Sequence, residues 1–359
     1  MPFDSRTLPA APPLSSRNPI AQWLLVVAGM VWFMVALGGA TRLTGSGLSI
    51  MEWAPIRGTL PPWTQAEWQR LFALYQTIPQ FQLQNTHLDL AGFKEIFWLE
   101  WGHRLWGRVI GLAFLLPLLW FWAKGAIPRH LLPRLGLLFV LGGMQGAIGW
   151  FMVASGFEAD RTAVSPYRLV AHLGMALLLY AALVWTALSL LRPQATALPA
   201  ATARPLRGLA HAASALLVLT MLAGGFVAGL RAGLTYNTFP LMDGSLVPSG
   251  YAMLSPWLLN WFENIPAVQF NHRLLATLSA GLALATAWLG WQRLPPGTAR
   301  TACLALGGVV ALQYALGVAT LLAVVPVWLG TLHQAVAVGV LSALLLLLHS
   351  LRRPAGATP

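Results

Sequence analysis

Eight stretches of twenty or more mostly apolar residues run through this chain of 359, at about 20–40, 96–122, 135–154, 169–191, 209–230, 267–291, 301–325 and 328–350. Each is long enough to cross a hydrocarbon layer of roughly 30 Å as a helix. In lipid every backbone polar group needs a partner within the protein, and for runs of this length the helix provides it. Hydrophobic residues make up 57% of the chain and charged residues 9%, which lies outside the range of soluble globular proteins. The expected fold is an all-α integral membrane protein with eight transmembrane helices, and an even number of crossings leaves both termini on one side.

The basic residues say which side. Arg6 and Arg17 precede the first span; Lys124, Arg129 and Arg134 follow the second; Arg192, Arg204 and Arg207 follow the fourth. Arg293 and Arg300 follow the sixth, and Arg352 and Arg353 the eighth. These are 12 of the 22 Lys and Arg, and Asp4 is the only acid among them. By the positive-inside rule both termini are cytoplasmic. Basic loops beside anionic lipid account for the net charge of +12, so no nucleic-acid partner is implied. The N-terminal segment has neither the apolar core nor the small-residue cleavage site of a signal peptide, and Asp4 counts against a mitochondrial presequence, so a bacterial inner membrane is the expected address. Cys303, the single cysteine, can form neither an internal disulfide nor an iron–sulfur cluster and reads as a small buried hydrophobe.

Four of the eight histidines recur at matching places in two halves of the chain. EWGHRL around His103 corresponds to QFNHRL around His272, and AHLGMALL around His172 corresponds to LHQAVAVG around His333. Gln145 in the third span matches Gln313 in the seventh. The offsets are 169 residues for the first histidine pair, 168 for the glutamines and 161 for the second histidine pair, which marks an internal repeat. A four-span unit inserts twice with the same orientation, so the expected architecture is two parallel-repeat four-helix bundles. The boundaries are a cytoplasmic tail 1–19, an N-terminal bundle 20–191, a cytoplasmic linker 192–208, a C-terminal bundle 209–350 and a tail 351–359. All four histidines open even-numbered spans, which enter from the non-cytoplasmic side, so both sites face the periplasm.

Imidazole is costly in lipid unless it faces a partner, and a histidine there is a functional candidate. Two histidines on different helices of one bundle suit a flat macrocycle held at both axial positions, which points to bis-histidine haem. Another metal, or satisfied polar histidines in a transporter, are the rival readings; zinc or copper would want further ligands that no spare His, Cys or Asp supplies. His87, His130, His211 and His349 have no counterparts in the repeat and read as loop or helix-end residues.

The halves also differ. Glu100, three residues before His103, has the uncharged Gln269 as its counterpart, and the i to i+3 spacing places it on the histidine's face of the helix. A desolvated carboxylate there can move protons or stabilise developing positive charge, which makes the first half the candidate reactive site, with pairing to Arg104 or Arg108 as the plainer alternative. Arg104 and Arg273 follow the histidines in both halves and suit haem propionates, or snorkel to the interface. Arg108 has Thr277 at its counterpart position. Residues 64–76 place Trp68, Leu71, Phe72 and Tyr75 on one stripe of an external amphipathic helix, which covers the first bundle or offers a partner surface. The whole stretch of about 55 residues between spans one and two and the loop 231–266 are long enough to act as lids. Trp53, Trp63, Trp98, Trp101 and Trp257 at span ends match an aromatic belt.

Taken together, GGATRLTGSGLSIMEWAPIRGTLPP, EWGHRLWGR, VSPYRLVAHL, NTFPLMDG, NHRLLA and LHQA, spread over roughly residues 20–350, resemble the haem A synthase family. That resemblance implies an eight-helix enzyme that oxidises a methyl group of haem O to the formyl group of haem A by two hydroxylations and loss of water. It implies a permanent haem b on His272 and His333, the substrate haem on His103 and His172, and Glu100 as the catalytic carboxylate. The chain is similar to the cysteine-free members, having no cysteine pair in an external loop. An electron acceptor of unknown identity and the enzyme that makes haem O are the implied partners. The rival functions are a quinol-linked dihaem b-type electron carrier and a cofactor-free transporter.

Overall fold

The computed structural model describes residues 18–195 and 198–353. The basic N-terminal tail with Asp4, Arg6 and Arg17, the end of the C-terminal tail and two residues of the linker lie outside the described residues. Eight long helices match the eight apolar runs: α1 (Pro19–Leu43), α4 (Leu90–Ala123), α5 (Leu132–Ala154), α6 (Pro166–Leu191), α7 (Ala200–Gly229), α8 (Ile265–Arg293), α9 (Thr298–Leu322) and α10 (Val327–Ser350). Two short helices, α2 (Gln65–Tyr75) and α3 (Pro79–Gln84), lie between α1 and α4. Among the described residues the only extended pairing is an isolated bridge between Met242 and Ser245.

Local chemistry fixes where the helices start. Asn18 Oδ1 accepts the Ala21 amide at 3.1 Å to cap α1, and Asp89 Oδ1 accepts the Gly92 amide at 2.9 Å to cap α4. Proline occupies the first turn of α1, α3, α5, α6 and α8, where its missing N–H costs nothing. The 34 residues of α4 span about 50 Å, more than the hydrocarbon layer needs, so one end stands clear of the lipid. The extra turns are at its N-terminal end, where Phe93 and Phe97 meet the expected stripe of α2. Trp68, Leu71 and Tyr75 are buried there and Phe72 half-buried. The stripe therefore covers its own α4. Thr64 caps α2, and Arg70 forks onto Glu52 at 2.9 and 3.0 Å while also holding Glu67. Those hydrogen bonds hold both carboxyls below the usual carboxylate range.

The seventh span ends earlier than its apolar run. Val324 and Val325 both have positive φ, 60° and 56°, and the Val325 amide returns to the Thr320 carbonyl at 2.8 Å. Hydropathy does not register a turn built from Ala, Val and Val, and β-branched residues in the left-handed region are held there only by their surroundings.

The centre of the molecule is α1, α6 and α10, the most buried of the eight spans. Leu24, Leu344 and Leu347 are fully enclosed there. Lipid gives helices no hydrophobic reason to associate, so packing and interhelical hydrogen bonds hold them. Trp23 and Trp106 donate across the α1–α4 contact to Ala113 and Met30 carbonyls at 2.8 and 3.0 Å, Trp32 donates to the Ala335 carbonyl of α10 at 2.8 Å, and Tyr180 meets Ser342 at 2.7 Å between α6 and α10. The outer helices differ between the halves. In the most apolar stretches of α4 and α5 only 11% and 6% is buried, against 28% and 22% in α8 and α9. Trp53, Trp63, Trp98 and Trp257 are exposed, as a belt requires, while Trp101 is half-buried.

Phe93 is fully buried among Trp68, Phe72, Tyr75 and Phe97. Phe93→Ala removes about 3–5 kcal/mol of packing, so amide exchange in residues 65–84 is expected to accelerate while exchange in α8 to α10 stays as it was. Unchanged protection in α2 would show that the aromatic cluster does not hold it.

Candidate functional site

The structure places His103 on α4, His172 on α6, His272 on α8 and His333 on α10, all half-buried. His103 lies close enough to His172, and His333 to His272, for their charges to interact. Each ring rests against a glycine of a neighbouring helix. A methyl on Gly149 would come within 2.8 Å of the His172 ring, on Gly224 within 2.9 Å of His272, on Gly317 within 2.9 Å of His333 and on Gly38 within 3.2 Å of His103. No larger residue fits at the first three without moving the ring. Those three rings turn their Cε1–Nδ1 edge to the glycine, whereas His103 turns its Nε2.

Polar contacts then orient the rings. His272 Nδ1 lies 3.1 Å from the Thr220 carbonyl, one turn before Gly224. A carbonyl only accepts, so Nδ1 carries the proton and Nε2 keeps the lone pair, the tautomer of a metal-ligating histidine. Gln145 and Gln313 sit one turn before Gly149 and Gly317. Gln145 Nε2 donates to the His172 carbonyl at 3.1 Å, and Gln313 Nε2 lies 3.1 Å from His333 Nδ1. The two aligned glutamines are thus second contacts to the two aligned histidines.

Among the described residues no three His, Cys, Asp or Glu side chains converge as a metal cluster would. The histidines come instead in pairs, one on each of two helices of a half, a donor set that suits a haem. Several polar atoms beside them are buried without a partner: His172 Nδ1, the Oε1 atoms of Gln145 and Gln313, Asn271 Nδ2, Thr331 Oγ1, Arg108 Nη1 and Arg273 Nε. Buried polar groups are rarely left so, and a group bearing carboxylates near the two arginines would complete their bonding.

One turn outward from the histidines, each half carries the same clamp. Arg104 donates to Glu100 Oε1 at 3.0 and 2.6 Å and to the carbonyls of Ile50 and Glu52 at 2.5 and 3.0 Å. Glu100 Oε2 accepts Ser49 Oγ at 2.7 Å and the Ile50 amide at 2.9 Å. Arg273 donates to Gln269 Oε1 at 3.0 Å and to the carbonyls of Tyr236 and Thr238, the latter at 2.9 Å, while Gln269 Nε2 donates to Ala232 and Thr235 carbonyls at 2.8 and 2.5 Å. The arginines read as propionate partners or snorkelling residues spend most of their donors on the loops, and the carboxylate expected to face the ligand of His103 has both oxygens bound to loop and arginine. Arg108 joins the clamp on Pro55 and Ala54 carbonyls at 2.9 and 3.0 Å. The sequence shows only the side-chain half of this device; its partners are backbone carbonyls. Of the remaining histidines, His87, His130 and His211 are exposed, and His349 is buried against Trp185 with Arg352 and Ser189.

Fold and site together define a multi-pass membrane protein with two matched pairs of half-buried histidines and a clamped loop beside each pair. Comparison with known proteins agrees. The family model described as cytochrome oxidase assembly protein matches residues 21–345. The chain is 59% identical over 341 residues to a haem A synthase of Granulibacter bethesdensis, covering 95% of this chain and 89% of that protein. It is 48% identical to the haem A synthase of Nitrosospira multiformis, covering 94% of each, and 49% identical to that of Rhodospirillum centenum, covering 96% and 92%. The chain belongs to the cytochrome oxidase assembly protein family.

Arg273→Ala should release the loop it holds. Each hydrogen bond to a charged group contributes about 1.5–3 kcal/mol, so amides of residues 232–238 should exchange on the order of ten- to a hundredfold faster. Unaltered exchange there would show that the loop is held by other contacts.

Proposed function

We propose that this chain is a haem A synthase of the bacterial inner membrane, an oxidoreductase that converts a methyl group of haem O to the formyl group of haem A. The observation that carries this is the charge difference between two otherwise matched clamps: Glu100 and Gln269 are each 2% exposed, bind an arginine four residues on and fasten an external loop, yet only one is a carboxylate. An electron carrier with two equivalent haems has no use for that difference. The open packing of α4 and α5 supports the first half as the substrate site, since a farnesylated haem has to enter and leave sideways through lipid, and the closer packing of α8 and α9 supports a permanent occupant in the second.

In this reading His103 and His172 would hold haem O, and His272 and His333 would hold haem b towards the periplasmic side. Haem b, when bound, supplies one-electron transfer to an acceptor outside the chain. The protein's residues do the rest. Arg104, Ser49 and the Ile50 amide keep the Glu100 carboxylate fixed at the external edge of the first site. A fixed anion in a low-dielectric site stabilises positive charge as it develops, at no cost in reorganisation. Each hydroxylation replaces a C–H of the methyl carbon by C–OH with oxygen taken from one water, releasing two protons and an electron pair that passes to the acceptor outside the chain; Glu100 offsets the cationic character that grows at that carbon, and the geminal diol then loses water. The loop clamped by Arg104 and Arg108 keeps bulk water from the intermediates. The unpaired N–H groups of Arg108 and Arg273 meet propionates. The enzyme that makes haem O is the fitting partner, because its product is too apolar to travel through water.

Glu100→Gln tests the charge without breaking the clamp, since Gln269 shows that an amide at this place holds its arginine. The variant should fold, bind both haems and lose about 10²-fold or more of haem A formation, typical for removal of one electrostatic contact, with haem O or the hydroxymethyl form accumulating in extracted pigment. Undiminished haem A would remove Glu100 from the mechanism.

A further inference from the structure

Two glycine pairs near the external ends of α1 and α7 stand in equivalent places: Gly38-Gly39 and Gly224-Gly225. The first glycine of each pair seats a histidine of its own half, His103 or His272. The second faces the opposite half. Gly225 meets Val170 and Leu173 of α6, a methyl there coming within 2.9 and 3.4 Å, and Leu173 directly follows His172. Gly39 meets Gln334 of α10, which directly follows His333, and a methyl on Gly39 would overlap the glutamine amide. Each glycine pair thus stands between a histidine of one half and the residue beside a histidine of the other.

The two crossings differ in chemistry. Leu173 touches Gly225 through a methyl group, a contact that can slide. Gln334 Nε2 donates to the Val35 carbonyl at 3.0 Å, one turn before Gly39 on α1. An amide bonded inside a low-dielectric layer holds its place, because breaking the bond strands a buried donor. Along α1, the segment Val35–Gly39 therefore carries Gln334 on one side and His103 on the other.

We infer that Gln334 is a positioning residue that couples the two histidine sites, transmitting the position of His333 through Val35–Gly39 of α1 to the ring of His103. The inference rests on the two-haem reading above and adds to it that the sites are not independent. The coupling is a property of binding: the affinity of the first site depends on the state of the second, and linkage makes the effect reciprocal.

The test measures haem O binding to the purified full-length protein carrying its resident haem, oxidised or reduced, by absorbance titration. The unaltered protein should give dissociation constants differing by about fivefold or more between the two states. Gln334→Ala removes the amide, and Gly39→Ala displaces it while leaving it in the chain; in each the ratio should fall towards one, with both haems retaining low-spin bis-histidine spectra. Gly39→Ala should add nothing in the Gln334→Ala background, where the methyl fills the space the amide left. Trp32→Phe removes a different α1–α10 hydrogen bond, to Ala335, and should keep the ratio. A ratio of one in the unaltered protein, a ratio that survives both Gln334→Ala and Gly39→Ala, or its equal loss in Trp32→Phe would overturn the coupling. If haem A is still produced in those cases, the functional reading stands without it; failure of the unaltered protein to bind haem O overturns both.

Discussion

An imidazole inside an apolar layer has to be received by the helix opposite, and four such rings set the packing problem this molecule solves. Each ring is seated on a glycine, because only a residue without a side chain lets a neighbouring backbone come so near. Close approach then brings backbone carbonyls and the glutamine amides of the same helices into hydrogen-bonding range. The seats at Gly149 and Gly317 each lie one turn from a glutamine, and the seat at Gly224 lies one turn from the carbonyl that fixes the His272 tautomer. Ring position and ring orientation thus come from a single helix face.

The layer outside the histidines is held by charge. Arg104 and Arg273 gather loop carbonyls that would otherwise be unsatisfied near the membrane surface, and Glu100 and Gln269 fix the arginines. The same scaffold accepts an acid or an amide at its centre, so one copy can take up chemistry while the other keeps only the structural task. Packing follows the same division, tight around the second pair and open around the first.

Much of this is legible in the sequence. The eight spans follow from hydropathy, and the histidine repeat from matched spacing. Glu100 stands out because Gln269 replaces it. The apolar turn at Val324 and Val325 escapes hydropathy because turn and helix there share a composition. The clamps escape because their acceptors are backbone atoms, which carry no residue signature. The glycine pairs do have a signature, a Gly-Gly near the end of the first span of each half. They are 186 residues apart, however, whereas the histidines are 169 and 161 apart, since the segment between α1 and α4 is longer than that between α7 and α8. An alignment anchored on histidines therefore passes over them, and with them the crossing made by Gln334.

The central claim is that the two histidine pairs hold different haems. It is tested most directly by extracting and separating the pigments of purified His272→Ala and His103→Ala proteins made in cells supplied with haem O. The account predicts that His272→Ala loses haem b and keeps haem O, while His103→Ala keeps haem b and loses haem O and its oxidation products. Equal loss of one and the same pigment in both variants would contradict it.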